Sequence, residues 1–167
     1  YIQQAIEKGA KLILAQKPAA ELDLTVPEDV VYWQVPDTAV ALAWLSAAQY
    51  GFPSRQLTLI GVTGTDGKTS TANILYAILQ TADIKAGLLS TIRAALAGED
   101  EPLALHVTTP EAPVVQQYLR RMVDTGLTHC ILESTSIGLD QQRVGAVDFD
   151  VAVVTNITHE PVSYTHL

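Results

Sequence analysis

Between Leu57 and Leu79 the chain reads L-T-L-I-G-V-T-G-T-D-G-K-T-S-T-A-N-I-L-Y-A-I-L. Leu57–Val62 is a short apolar run of the kind a buried strand requires. The turn Gly64-Thr65-Asp66-Gly67-Lys68-Thr69 follows, and from about Lys68 a helix carries Ile74, Leu75, Ile78 and Leu79 at helical spacing. Strand, glycine turn and helix in this order restrict the fold more than any other feature. Glycines let the backbone turn its N–H groups inward around a polyphosphate, and the positive end of the helix adds field at the same place. Lys68 is then expected to reach the β- and γ-phosphates, and the Thr69 hydroxyl to ligate Mg²⁺.

Composition limits what else the chain can do. With 167 residues, 48% hydrophobic and 17% charged, it is long enough and apolar enough for a buried core. Ten basic against eighteen acidic residues give a net charge of −8, which argues against nucleic acid or anionic membrane as partner. A phosphate ligand must therefore be held locally. Cys130 stands alone in the apolar run His129-Cys130-Ile131-Leu132 and reads as a core residue, so no disulfide framework is expected. No apolar stretch approaches the roughly 18 to 20 residues that span a bilayer, and the N-terminus carries no secretory pattern, so the cytoplasm is the expected location.

Taken in order, Tyr1–Gly9 reads as a helix, Lys11–Ala15 and Val30–Val35 as strands, and Ala39–Tyr50 as a helix capped by Asp37 or Thr38. Gly51-Phe52-Pro53-Ser54 stops that helix and begins a linker. After the phosphate-loop helix come a strand at Lys85–Ser90 and a hairpin or long loop over Thr91–His106, whose acidic turn at 98–102 reads as solvated surface. Thr109-Pro110-Glu111 reads as the start of a helix running to about Asp124, with Thr109 as N-cap. Cys130–Glu133 and Asp148–Thr155 are further strands. Strands alternating with helices of this length predict an α/β fold, a parallel sheet wound by crossovers with ligand at the carboxyl ends of the strands.

The loop departs from the strict phosphate-loop spacing by one position. Gly61 lies six residues before Gly67, where the usual pattern needs five, and what remains is G-T-x-G-K-[ST]-[ST] preceded by G-V-T. That form resembles the Mur ligase superfamily, which joins an amino acid to a carboxylate at the expense of ATP. From Tyr32 to Glu160 the chain is similar to the UDP-N-acetylmuramoyl-peptide ligases of bacterial cell-wall synthesis, most like those that add the third peptide residue. The resemblance implies that residues 1–55 are the rear part of a small α/β uridine-nucleotide-binding domain and 56–160 an incomplete central ATP-binding domain.

The resemblance also implies roles for particular residues. Gly64, Thr65, Asp66, Gly67, Lys68, Thr69 and Ser70 correspond to the ATP-binding segment. Val107-Thr108-Thr109-Pro110-Glu111 resembles a stretch in which two threonines contact the muramoyl-peptide, although Val107 stands where the family often has asparagine. Glu133-Ser134-Thr135-Ser136-Ile137-Gly138-Leu139-Asp140-Gln141-Gln142-Arg143 is similar to E-V-S-S-H-A-L-x-Q-x-R. In it Glu133 is expected to hold Mg²⁺ beside the phosphates, and Thr135, Gln141 and Arg143 the substrate. Ile137 replaces the usual histidine, whose function nothing else preserves. Thr155-Asn156-Ile157-Thr158-His159-Glu160 matches the family up to Glu160, after which the likeness stops. His159 and His166 read as solvated histidines, since no partner ligand lies at a suitable spacing.

The implied chemistry is activation of the carboxyl group of UDP-N-acetylmuramoyl-L-Ala-D-Glu by ATP, with Lys68 and Glu133 in the catalytic roles, followed by attack of an amino acid's amine, diaminopimelate or lysine. The complete enzyme is expected to be a monomer, and this fragment to be inactive. The tail Pro161–Leu167 back-translates to a stretch containing CTGTCTCTTATACACATCT, which resembles a transposon end used in library preparation, so 161–167 is read as non-native. An unpaired sheet edge is expected as a result. The other readings are a related ligase of the folylpolyglutamate or cyanophycin synthetase type, a nucleotide-binding module without catalysis, as Ile137 suggests, and a kinase or GTPase, which the shifted glycine disfavours.

Overall fold

The computed structural model describes residues 1–22, 24–96, 99–102 and 108–158, and the chain falls into two units, Tyr1–Leu42 and Ala43–Leu167. The tail 161–167, His159, His166 and Val107 lie outside the described residues. In the first unit, helix α1 (Ile2–Glu7) leads into strands β1 (Leu12–Ala15) and β2 (Val31–Gln34), which pair in parallel from Leu12↔Val31 to Ala15↔Gln34. Helix α2 (Thr38–Gln49) begins where Asp37 Oδ1 accepts the N–H groups of Ala39 at 2.7 Å and Val40 at 3.2 Å, so the cap is Asp37. The division between units falls inside α2, ahead of the expected linker. Ala43 and Ala47 account for this, since both are buried with Ala112 and Ala146 of the second unit.

The second unit is built on a six-stranded sheet. Strand β3 (Thr58–Thr63) leads through helix α3 (Lys68–Thr81) to β4 (Ala86–Leu89), then to β5 (Arg93–Leu96) and β6 (Glu99–Pro102). Helix α4 (Ala112–Asp124), β7 (His129–Glu133), helix α5 (Ser136–Asp140) and β8 (Val151–Val154) complete it. The spatial order is β6-β5-β4-β7-β3-β8. β4, β7, β3 and β8 run parallel, while β5 and β6 are added antiparallel. Among the described residues β8 is an edge strand, with Val151 and Val154 half-exposed.

Burial along the strands explains the layering. Neighbouring residues point to opposite faces, and both faces are covered. Leu59, Leu89, Cys130 and Leu132 pack on one side with Val115, Leu119 and Met122 of α4. Val62, Leu88 and Ile131 pack on the other with Ala72 of α3, backed by Leu75 and Leu79. Each fully buried leucine contributes about 1.5–3 kcal/mol from loss of apolar surface to water. The chain leaves β3 on one side to reach β4 and returns to place β7 between them, with β8 on the far side of β3. Their carboxyl ends therefore frame a crevice at the point where the winding reverses.

Two local expectations need correction. Helix α4 starts at Ala112, with Glu111 as N-cap residue and Pro113 in the first turn, because the Thr109 hydroxyl is already engaged elsewhere. A short helix, α5, lies in the stretch after Glu133, for which the sequence reading named no element. The acidic run read as solvated surface contributes β6, and Glu101 is not free: its carboxylate accepts from Arg121, with Nη1 at 2.9 Å, and from the Tyr118 hydroxyl at 3.4 Å.

The hydrogen-bonded Arg121 guanidinium holds the Glu101 carboxyl below the usual glutamate range. A depressed carboxyl stabilises the fold above the unfolded value, near 4.5, and that contribution is lost as pH falls through the folded value. Thermal melts of the chain and of Glu101→Gln are therefore expected to differ at neutral pH, with the substituted chain melting lower, and to converge as pH falls below the unfolded value near 4.5 and on through the lowered folded value. A gap that persists unchanged in acid would assign the loss to packing instead of charge.

Candidate active site

The phosphate loop is shaped by backbone geometry that most side chains would obstruct. Gly64 has φ +132° and lies so close to the end of β8 that a Cβ would sit 2.2 Å from Thr155 Oγ1. Gly67, with φ +80°, precedes α3 and offers no capping side chain. Among the described residues nothing accepts from the N–H groups of Gly67, Lys68 and Thr69, so the start of a 14-residue helix presents free donors and the positive end of its dipole. Lys68 Nζ lies over the loop, donating to Gly64 O at 2.8 Å and Thr65 O at 2.9 Å. Asp66 and Ser70 are exposed on the loop and the first turn of α3.

Thr69 meets Glu133 across the sheet. Its hydroxyl donates to Glu133 Oε1 at 2.8 Å, while Glu133 Oε2 accepts the Thr91 N–H at 3.0 Å and the Thr91 hydroxyl lies 3.5 Å from that of Thr69. Glu133 is 1% exposed, and no ion pair to it exists among the described residues. A buried carboxylate bound to a hydroxyl and an amide, beside free N–H donors, is suited to a hard cation that also takes phosphate oxygens. Among the described residues no three His, Cys, Asp or Glu side chains converge, so protein carboxylates alone form no metal cage. Sequence reasoning missed Thr91. The available signal was its place just past the carboxyl end of β4, where ligand is expected.

The residues expected to hold substrate form a second cluster. Thr135 caps α5, its Oγ1 accepting from Gly138 N at 3.0 Å, and Thr135 N donates to the buried Thr109 hydroxyl at 2.9 Å. A Cβ at Gly138 would meet Thr109 Cβ at 2.7 Å, so the glycine allows α5 to lie against Thr109. Arg143 Nη1 donates to Thr109 O at 2.7 Å, Nε and Nη2 donate to Gln141 Oε1 at 3.1 and 2.7 Å, and Nη2 pairs with Glu111 at 3.0 Å. The guanidinium fork thus braces the 109–111 and 135–143 segments. Thr108 and Ile137 are half-buried beside this cluster in sequence. A cleft of about 270 Å³, lined by Gly64, Thr65, Ser136, Leu139, Asn156 and Ile157, runs from the phosphate loop to α5.

Known proteins share this arrangement of sequence and fold. The family described as the Mur ligase middle domain matches residues 62–166. The chain is 40% identical over 164 residues to the UDP-N-acetylmuramoyl-L-alanyl-D-glutamate–2,6-diaminopimelate ligase of Geobacillus thermodenitrificans, covering 98% of this chain and 32% of that protein. It is 41% identical over 165 residues to the UDP-N-acetylmuramyl-tripeptide synthetase of Deinococcus radiodurans, covering 98% of this chain and 33% of that protein. A solved UDP-N-acetylmuramoyl-L-alanyl-D-glutamate–2,6-diaminopimelate ligase superposes with a TM-score of 0.73 at 22% identity, over 97% of this chain and 31% of that one, which establishes the shared fold. The chain spans about a third of the length of the curated relatives it matches. With its middle-domain match, phosphate loop and winding order in agreement, the chain belongs to the Mur ligase family.

Proposed function

We propose that the chain is the nucleotide-binding core of an ATP-dependent ligase that adds the third amino acid, diaminopimelate or lysine, to UDP-N-acetylmuramoyl-L-Ala-D-Glu in cytoplasmic peptidoglycan synthesis. The observation that carries this reading is the bond between Thr69 and the buried Glu133 at the mouth of an uncapped helix. The similarity to ligases of UDP-N-acetylmuramoyl peptides supports the substrate class. Residues of the first unit then serve the uridine nucleotide, and the complete enzyme works as a monomer.

In this reading the substrate carboxylate attacks the γ-phosphorus of ATP and ADP leaves. The amine of the incoming amino acid then displaces phosphate from the acyl phosphate and gives up a proton. The chain's task is positioning and charge neutralisation. The free N–H groups of Gly67, Lys68 and Thr69 hold phosphate oxygens, with the backbone of Gly64, Thr65 and Asp66 and the Ser70 hydroxyl framing the loop, and Lys68 offsets developing charge. Mg²⁺, when bound, supplies further charge stabilisation on those oxygens, and Thr69 and Glu133 are the groups to hold it. Thr108, Thr109, Thr135, Gln141 and Arg143 set the muramoyl-peptide, with Arg143 bracing the segments that carry the threonines.

In a full-length ligase containing these residues, Lys68→Ala is expected to lower ATP-dependent ligation at least about 100-fold, since no other cation in the loop replaces it. Near-normal turnover would sink the phosphate-loop assignment. Glu133→Gln can keep both hydrogen bonds, because the Thr69 hydroxyl can turn to accept from the new amide; metal-free stability should stay within about 1 kcal/mol in urea titrations. The rise in melting temperature on adding Mg²⁺ with ATP should disappear in that variant, and its persistence would place the cation elsewhere. Arg143→Lys is expected to raise KM for the muramoyl-peptide more than for ATP, because one ammonium cannot span Thr109 O, Gln141 and Glu111 together. Equal changes for both substrates would remove Arg143 from the substrate side.

A further inference from the structure

The segment leaving β8 is bonded to the phosphate loop side chain by side chain. Asn156 Oδ1 accepts the N–H of Thr65 at 3.1 Å and of Asp66 at 3.0 Å, and Asn156 Nδ2 donates to Asp66 O at 3.2 Å. The orientation of the amide is fixed by this network, since a flipped group would set its two donors against two more. Thr155 Oγ1 donates to Asp66 O at 2.6 Å from below, and Thr65 Oγ1 exchanges hydrogen bonds with the backbone of Thr158, donating to its O at 3.3 Å and accepting from its N at 3.2 Å. The turn at 65–66 is thus held by residues some ninety positions later, and that turn sets where Gly67 and the first N–H groups of α3 point.

We infer that Asn156 is a positioning residue for nucleotide binding: its side-chain amide holds the Thr65–Asp66 turn so that the donors of Gly67, Lys68 and Thr69 converge on phosphate. The inference rests on the nucleotide reading of the loop and adds to it a residue outside the loop. It acts through the backbone of the loop. Two loop amides are spent on Asn156 and are unavailable to phosphate, so the anion is held by the helix start. Rigid support of this kind matters because small misplacements of a binding group weaken it far more than the supporting bond is worth.

The test compares the chain with Asn156→Leu, Asn156→Asp and Lys68→Ala, reading ATP-Mg²⁺ affinity by calorimetry and amide exchange by NMR. Leucine is close in size and makes no hydrogen bond; it is expected to weaken ATP-Mg²⁺ binding about 10- to 100-fold, the size of losing an outer-shell partner, and to speed exchange of the Asp66 amide while β3 and β7 amides stay slow. Aspartate keeps an acceptor for both N–H groups and is expected to keep the Asp66 amide slow. If the Leu variant does not fold, the Asp variant decides alone, and fast Asp66 exchange in it overturns the inference. Loss of binding in Lys68→Ala with full binding in Asn156→Leu overturns the inference and leaves the nucleotide reading standing. Absence of ATP-Mg²⁺ binding in the unsubstituted chain overturns both.

Discussion

The bond from the Thr69 hydroxyl to Glu133 fixes the relation between the start of α3 and the end of β7, and the rest of the site is measured from it. Burying a carboxylate without a cationic partner is costly, so its presence at 1% exposure needs a return. Among the described residues each oxygen has one donor, the Thr69 hydroxyl on one side and the Thr91 N–H on the other, which leaves acceptor capacity unused. Such an arrangement is less stable by itself than an apolar plug of the same shape would be, which is the physical ground for the proposal that Glu133 serves a bound charge.

That carboxylate can be positioned because the sheet is covered on both faces. β3 and β7 are neighbours in register from Thr58↔His129 to Val62↔Glu133, so the end of one lies beside the end of the other. α3 on one face and α4 on the other leave the strands little freedom to slide. At the carboxyl ends the connecting segments are braced by polar contacts: Arg143 ties 109–111 to 135–143, and Asn156 ties the exit of β8 to the loop. Apolar packing sets the frame, and hydrogen bonds set the final ångström at the site.

The same division accounts for the corrections to the expected secondary structure. Thr109 has the sequence signature of a helix cap, with Pro110 and Glu111 behind it, yet its hydroxyl receives the Thr135 N–H and the helix begins later. The local capping preference, about 1 kcal/mol, is overridden by a buried bond to a residue that lies 26 positions away. Glu101 likewise reads as a surface acid until Arg121 and Tyr118 of α4 are brought against β6.

The sequence alone was enough for the strand, glycine turn and helix of 57–81 and for most of the strands and helices around them, because these rest on local periodicity or a spaced motif, whereas Glu133 was singled out by the family resemblance. The sequence did not pair Thr91 with Glu133 or Asn156 with the loop, partners that lie 42 and 91 residues away, nor did it show the internal bracing by Arg143. Those assignments depend on which strand ends the winding order brings together. A hydroxyl or an amide becomes part of a site only when the backbone places an N–H within hydrogen-bond reach, and that distance is set by the packed sheet, not by the neighbours of the residue in the chain.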